Sequence, residues 1–162
     1  MLKRLINIAV SLFAWAAMVC LMIGLYPVLI FLWLMLAPFG KHFKPMHYYA
    51  SFWAWTTVCA NIYWSVKVID RHKLVRGRPC VFICNHQSMA DILVLFLLFV
   101  PFRFVSKIEL FKIPIMGWGM SLVGYIKLNR QNRRTFIRMY SRCEESLKEG
   151  VPVMIFPEGT RT

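Results

Sequence analysis

Apolar and polar positions along this chain follow two regimes that change near Arg76. Before that point the pattern is blocky: no charged residue lies between Leu5 and Gly40, and none between Pro45 and Val66. Apolar runs of this length predict membrane-seeking helices rather than elements of a soluble core. The first run, about 36 residues, would extend ~54 Å as one helix, against a hydrocarbon core of ~30 Å. Gly24 and Pro27 near its middle predict a kink, a re-entrant hairpin, or a span followed by an interfacial segment. The second run carries Tyr48, Tyr49, Phe52, Trp53, Trp55, Tyr63 and Trp64. Aromatic rings with polar tips favour the headgroup level, so this helix is expected in or near the interface. A signal peptide does not fit, because the first run is too long and no cleavage site leads to a polar mature start.

Beyond Arg76, short strand-like runs alternate with helical periodicity. Pro79 to Cys84 reads as a buried strand, Asp91 to Phe99 as a helix stopped before Pro101, and Phe102 to Ser106 as a second strand. Pro114 to Val123 reads as a short helix, Tyr125 to Leu128 as a strand, Thr135 to Lys148 as a helix ended by Gly150, and Val151 to Phe156 as a further strand. The alternation predicts an α/β class with a largely parallel sheet. The expected organisation is an N-terminal hydrophobic helical membrane anchor over residues 1–70, followed by an α/β domain over residues 71–162. The stretch past Arg76 is small for an independent α/β domain, so the domain is expected to be incomplete, its C-terminal part lying outside this chain.

Composition agrees with membrane attachment. The chain is 59% hydrophobic, with a mean hydropathy of +0.55 and a formal net charge of +13. Lys3 and Arg4 precede the first run, and Lys67, Arg71, Lys73, Arg76 and Arg78 follow the second. In a two-span hairpin this places the termini and the α/β portion on the cytoplasmic side. Lys41 and Lys44 between the runs leave a monotopic insertion open. Near an anionic leaflet each basic residue contributes ~1 kcal/mol. No basic patch is separable from the membrane segments, so nucleic acid is not an expected partner. The five cysteines are odd in number and unclustered, which fits a reducing compartment rather than a disulfide framework.

Candidate chemistry is concentrated in three places. His86 and Asp91 could not meet on one regular helix, where five residues subtend ~140°. They can meet if His86 stays on a turn and Asp91 lies in the first turn of the helix. The imidazole would then take a proton from a substrate hydroxyl while the carboxylate holds its tautomer. Equally, Ser88-Met89-Ala90-Asp91 fits a capping box with no catalytic role. Arg130, Arg133 and Arg134 after a strand could cradle phosphate or simply be solvated. Glu158 and Arg161 lie on a turn after the last strand, where α/β sheets hold ligands, or are ordinary exposed charges. Cys80, Cys84 and His86 share a strand face but match no common zinc spacing. The Gly117–Val123 stretch lacks the glycines of a nucleophile elbow or a dinucleotide loop. His42, His47 and His72 fall in basic connectors and read as solvated.

Asn85-His86 with Asp91 (His-x4-Asp), Gly124 through Arg130, and Phe156-Pro157-Glu158-Gly159-Thr160-Arg161, in this order, resemble the blocks of the glycerolipid acyltransferase family. The best-known members are the 1-acyl-glycerol-3-phosphate (lysophosphatidic acid) acyltransferases. Lys107-Ile108-Glu109-Leu110 with Pro114 and Gly117 adds to the likeness, which covers residues 79–162. The resemblance implies that His86 is the catalytic base and Asp91 its partner, with Arg130, Glu158, Gly159 and Arg161 binding a phosphate-bearing acceptor. It implies transfer of a fatty acyl group from an acyl-CoA or acyl-carrier-protein thioester to a glycerol hydroxyl of lysophosphatidic acid, with no metal and no other cofactor. Lys127 and Asn129 stand where the family carries an apolar and often an acidic residue, which bears on the acceptor. The family's fourth block would lie beyond Thr162. Alternative expectations are another acceptor (glycerol 3-phosphate, another lysophospholipid or a lyso-aminolipid) or a catalytically silent membrane-interaction protein.

Overall fold

The computed structural model describes residues 2–40, 43–61, 64–74, 77–129 and 131–157. Two helices lead: α1 (Leu2–Leu36) and α2 (Phe43–Ala60). The first apolar run is one uninterrupted helix through Pro27, not a re-entrant hairpin. Proline removes one backbone donor, whereas an apolar surround penalises every further unpaired backbone group, and a continuous helix leaves the fewest. It ends through a short 3-10 turn over Ala37–Phe39 that closes on Gly40, left-handed at φ 65°, a conformation glycine adopts without steric cost. From Lys3 to Phe39 the chain is long and apolar enough to cross a membrane.

The alternating half contains β1 (Val81–Ile83), α3 (Ala90–Phe96), β2 (Arg103–Lys107), α4 (Met116–Val123), β3 (Ile126–Leu128), α5 (Arg133–Lys148) and β4 (Val153–Ile155). The four strands form a sheet of order β1-β4-β2-β3 with all pairings parallel, as the alternation predicts. The predicted α3 stops early, at Phe96, because Phe99 takes a left-handed backbone at φ 51°. Asn132 caps α5 by accepting from the backbone N–H groups of Arg134 (3.0 Å) and Thr135 (3.4 Å).

Strand alternation divides the core in two. Phe102, Phe104, Tyr125 and Met154 pack with α2 and α3 through Met46, Ala54, Leu93 and Phe96. Val105, Ile126 and Val153 pack under Met139 of α5, with Cys143 and Leu147 beside it. On that second face Val81 and Ile83 of the edge strand β1 remain exposed.

The aromatic run of α2 is split between an exposed and an enclosed face. Tyr48, Phe52 and Trp55 are exposed, while Met46, His47, Ser51 and Ala54 are fully enclosed. Tyr49 donates its hydroxyl proton to the Leu25 carbonyl of α1 at 2.8 Å. His47 is therefore not a solvated connector residue. Its ring packs against Phe43, Phe96, Phe102 and Tyr125, and Nδ1 lies 3.2 Å from the Tyr125 hydroxyl. The helical spacing of Phe43, Met46, His47, Ala54 and Val58 places it on the buried stripe. His72 is exposed; His42 lies outside the described residues.

Candidate active site

Parallel strands deliver their carboxyl ends to one edge of the sheet, and β1 and β4 are neighbours there. The chain leaves β1 at Ile83 and runs through Cys84, Asn85, His86, Gln87 and Ser88 before α3 begins. His86 stays on that turn and Asp91 is the second residue of α3, the arrangement the spacing requires if the two are to meet. His86 Nδ1 lies 3.1 Å from Asp91 Oδ2.

The same oxygen accepts from the backbone N–H of Gln87 at 2.7 Å and of Ser88 at 2.8 Å. Ser88 Oγ in turn accepts from the Ala90 N–H at 3.1 Å, so the predicted capping box is met only in its Asp91 half, the Asp91 N–H going to the Ser88 carbonyl oxygen instead of the hydroxyl. One carboxylate oxygen of Asp91 thus makes both the helix-start contacts and the contact to the imidazole. Burial alone would raise the Asp91 carboxyl, but the Ser88 and Gln87 N–H groups and the His86 imidazole outweigh it and hold it below its ordinary value. An ionised carboxylate only accepts, so a neutral imidazole bonded to it carries its proton on Nδ1 and leaves the Nε2 lone pair available. Among the described residues Nε2 has no hydrogen-bond partner.

Two further side chains complete the surroundings. The Phe156 ring, just past β4, stacks on the His86 imidazole with centroids 4.4 Å apart and planes 25° apart. Nothing in one sequence gives this contact; it requires the β1–β4 register, in which Phe82 pairs with Met154. Cys84 donates toward Met154 Sδ at 3.6 Å. Burial, and then the Asp91 charge, push its thiol up, so it is a poor nucleophile at neutral pH. Among the described residues no group of three or more His, Cys, Asp or Glu is placed to hold a metal ion. Of the other expected site residues, Arg130, Glu158, Gly159 and Arg161 lie outside the described residues. Arg133 and Arg134 are exposed in the first turn of α5.

His86 is thus held by the Asp91 carboxylate at the carboxyl edge of a parallel sheet, with the half-buried Cys84 two residues before it. The acyltransferase family model matches residues 65–162, and the chain belongs to that family. It is 37% identical over 158 residues to a 1-acyl-sn-glycerol-3-phosphate acyltransferase of Chlamydomonas reinhardtii, covering 95% of this chain and 46% of that protein. It is 36% identical over 130 residues to a chloroplastic 1-acyl-sn-glycerol-3-phosphate acyltransferase of Arabidopsis thaliana, covering 80% of this chain and 35% of that one. The chain thus spans less than half the length of these two relatives. The fold matches the crystal structure of the 1-acyl-sn-glycerophosphate (LPA) acyltransferase PlsC from Thermotoga maritima, with a TM-score of 0.79. That match is 24% identical and covers 99% of this chain and 64% of the other.

Proposed function

We propose that this protein transfers a fatty acyl group from an acyl thioester to the free hydroxyl of 1-acyl-glycerol 3-phosphate, giving phosphatidic acid. The observation that carries the reading is the His86–Asp91 contact at 3.1 Å, in a chain of the acyltransferase family. The acceptor oxygen attacks the thioester carbonyl as its proton passes to His86 Nε2. The tetrahedral intermediate then collapses, the C–S bond breaks, and the leaving thiolate takes the proton back from the imidazolium. The products are an ester and a free thiol. Asp91 stays ionised and stabilises the imidazolium; a base of this kind contributes ~10²–10⁴-fold in rate.

Arg130 and Arg161 clamp the acceptor phosphate in this reading, while Glu158 and Gly159 shape the loop around it. Two cations in the first turn of α5, with no acidic residue there, oppose the helix dipole at a cost of about 0.3–1 kcal/mol each, which a bound phosphate would offset. The donor is acyl-CoA or acyl carrier protein, and no metal or further cofactor enters the scheme. The α1 helix holds the site at the bilayer, with the α/β domain on the cytoplasmic side.

The test is thiol release from a fatty acyl thioester by membranes carrying the full-length gene product, with and without lysophosphatidic acid, for wild type and His86→Ala. Release that needs both the acceptor and His86 is expected. Release from His86→Ala at the wild-type rate refutes the mechanism. Release only with glycerol 3-phosphate or another lysolipid reassigns the acceptor. Silence with every acceptor and both donors leaves a membrane-interaction protein.

A further inference from the structure

The hydrogen bond to Asp91 fixes one atom of the His86 ring but not the plane of that ring. The imidazole can still tilt about the Nδ1···Oδ2 line, and a tilt moves Nε2 away from any hydroxyl bound in front of it. What restrains the plane is aromatic. Residues 82, 84 and 86 follow one another at a spacing of two, and Phe82 pairs with Met154 across the β1–β4 register. The next position of like parity beyond β4 is Phe156, which brings its ring against His86.

That ring is not free to drift. Phe156 stacks in turn on Phe104, with centroids 6.0 Å apart and planes 19° apart. Phe104 is 3% exposed and is braced edge-on by Phe96, Phe102 and Tyr125 at 5.4, 4.8 and 5.7 Å. The column His86–Phe156–Phe104 therefore ties the imidazole to the most enclosed part of the core.

We propose that Phe156 is a positioning residue for the general base. Its ring sets the plane of His86 so that Nε2, rather than the ring face, meets the acceptor hydroxyl. Its π face also stabilises the imidazolium that forms when the proton is taken, as aromatic faces do for cations. This rests on the acyl-transfer reading. The role is distinct from those of Arg130, Glu158, Gly159 and Arg161 toward substrate, because Phe156 acts only through His86.

The experiment compares Phe156→Leu, which keeps much of the bulk and loses the π face, with Phe156→Tyr, which keeps the ring. Both are assayed by thiol release in membranes carrying the full-length gene product, with His86→Ala in parallel. Phe156→Leu should lower kcat about tenfold, with KM for lysophosphatidic acid and thioester changed by less than about twofold. Phe156→Tyr should stay within about threefold of wild type in kcat. Should Phe156→Leu not accumulate in membranes, Phe156→Met takes its place with the same expectation. A Leu variant as active as wild type overturns the proposal, as does a Tyr variant as impaired as Leu, or a loss carried by KM. If His86→Ala is dead while Phe156→Leu is normal, only the positioning role fails; if His86→Ala is fully active, the acyl-transfer reading fails first.

Discussion

Asp91→Asn separates the two duties that converge on one oxygen. The Gln87 and Ser88 N–H groups and His86 Nδ1 all meet Oδ2, at 2.7, 2.8 and 3.1 Å. An asparagine with its carbonyl oxygen in that place accepts the same three bonds and lacks only the charge. The start of α3 should therefore survive, with a loss of about 1 kcal/mol or less from weaker bonds and the helix dipole. Turnover should not survive as well. Two unit charges ~4 Å apart attract by ~4 kcal/mol at an effective dielectric near 20. The His86 and Asp91 side chains are 15% and 31% exposed, so solvent screening leaves about 2–3 kcal/mol for the imidazolium, or about 30- to 150-fold in kcat. Asp91→Ala should lose at least as much rate and also orphan two backbone donors, lowering stability by about 1–2 kcal/mol. The assay pairs thiol release at saturating lysophosphatidic acid and thioester with denaturation of both variants in detergent. An Asn variant that keeps more than about a third of wild-type kcat refutes the orienting role and leaves Asp91 as a cap alone.

Two further outcomes rest on the core. Burial holds the His47 imidazole at about 3 against an ordinary 6.5, over the opposing pull of the Val100 backbone. Between those values the unfolded chain binds the extra proton, so stability that is full above pH 6.5 falls as pH drops, by up to about 1.4 kcal/mol per unit. Melting midpoints of wild type should therefore fall more steeply from pH 7 to pH 5 than those of His47→Phe, and parallel slopes would contradict the burial argument. At Gly117 an added Cβ would collide with the Phe111 carbonyl and come within 2.7 Å of the Leu110 carbonyl oxygen. Gly117→Ala should cost at least about 2 kcal/mol because backbone, not a flexible side-chain tip, is in the way; a melt within about 2 °C of wild type would overturn it.

The alternating half was legible because its signals are local. Val-Phe-Ile before Asn85-His86 reads as a strand running into a polar turn, and Gly150 marks the end of α5 as its stop, whereas the Asn132 cap that starts the helix two residues before the expected Thr135 emerges only from the structure. The His86–Asp91 contact was legible as a possibility, since the spacing of five forbids it on one helix and permits it across a turn. What one sequence withholds is register. Phe156 reaches His86 only because β4 inserts between β1 and β2, and no periodicity within β4 reports its neighbours. His47 was misread for a related reason. With Lys41, His42 and Lys44 just before it in the sequence, it reads as part of a basic connector, whereas the stripe of small and apolar positions at 46, 51, 54 and 58 faces a sheet whose rings enclose the imidazole.

The apolar helix α1 and the candidate site are joined by packing. In α1, Leu25 accepts the Tyr49 hydroxyl of α2, Tyr26 meets Trp118 of α4 at 6.4 Å, and Leu29 abuts Gly119, where an added Cβ would lie 3.3 Å from its Cδ2. From α2, His47 contacts Phe96 of α3, the helix whose first turn holds Asp91, and Phe102 at the entry to β2. Phe102 touches Phe104, the foot of the column under His86. An apolar helix long enough to cross a bilayer is thus fixed relative to the imidazole by close-packed side chains, which deform little. A lysolipid whose acyl chain stays in the bilayer presents its hydroxyl at a height set by the membrane, and orientation errors of about 1 Å cost rate steeply. On the proposed reaction, a rigid joint between α1 and the sheet gives His86 a defined height at that surface, which a flexible linker could not.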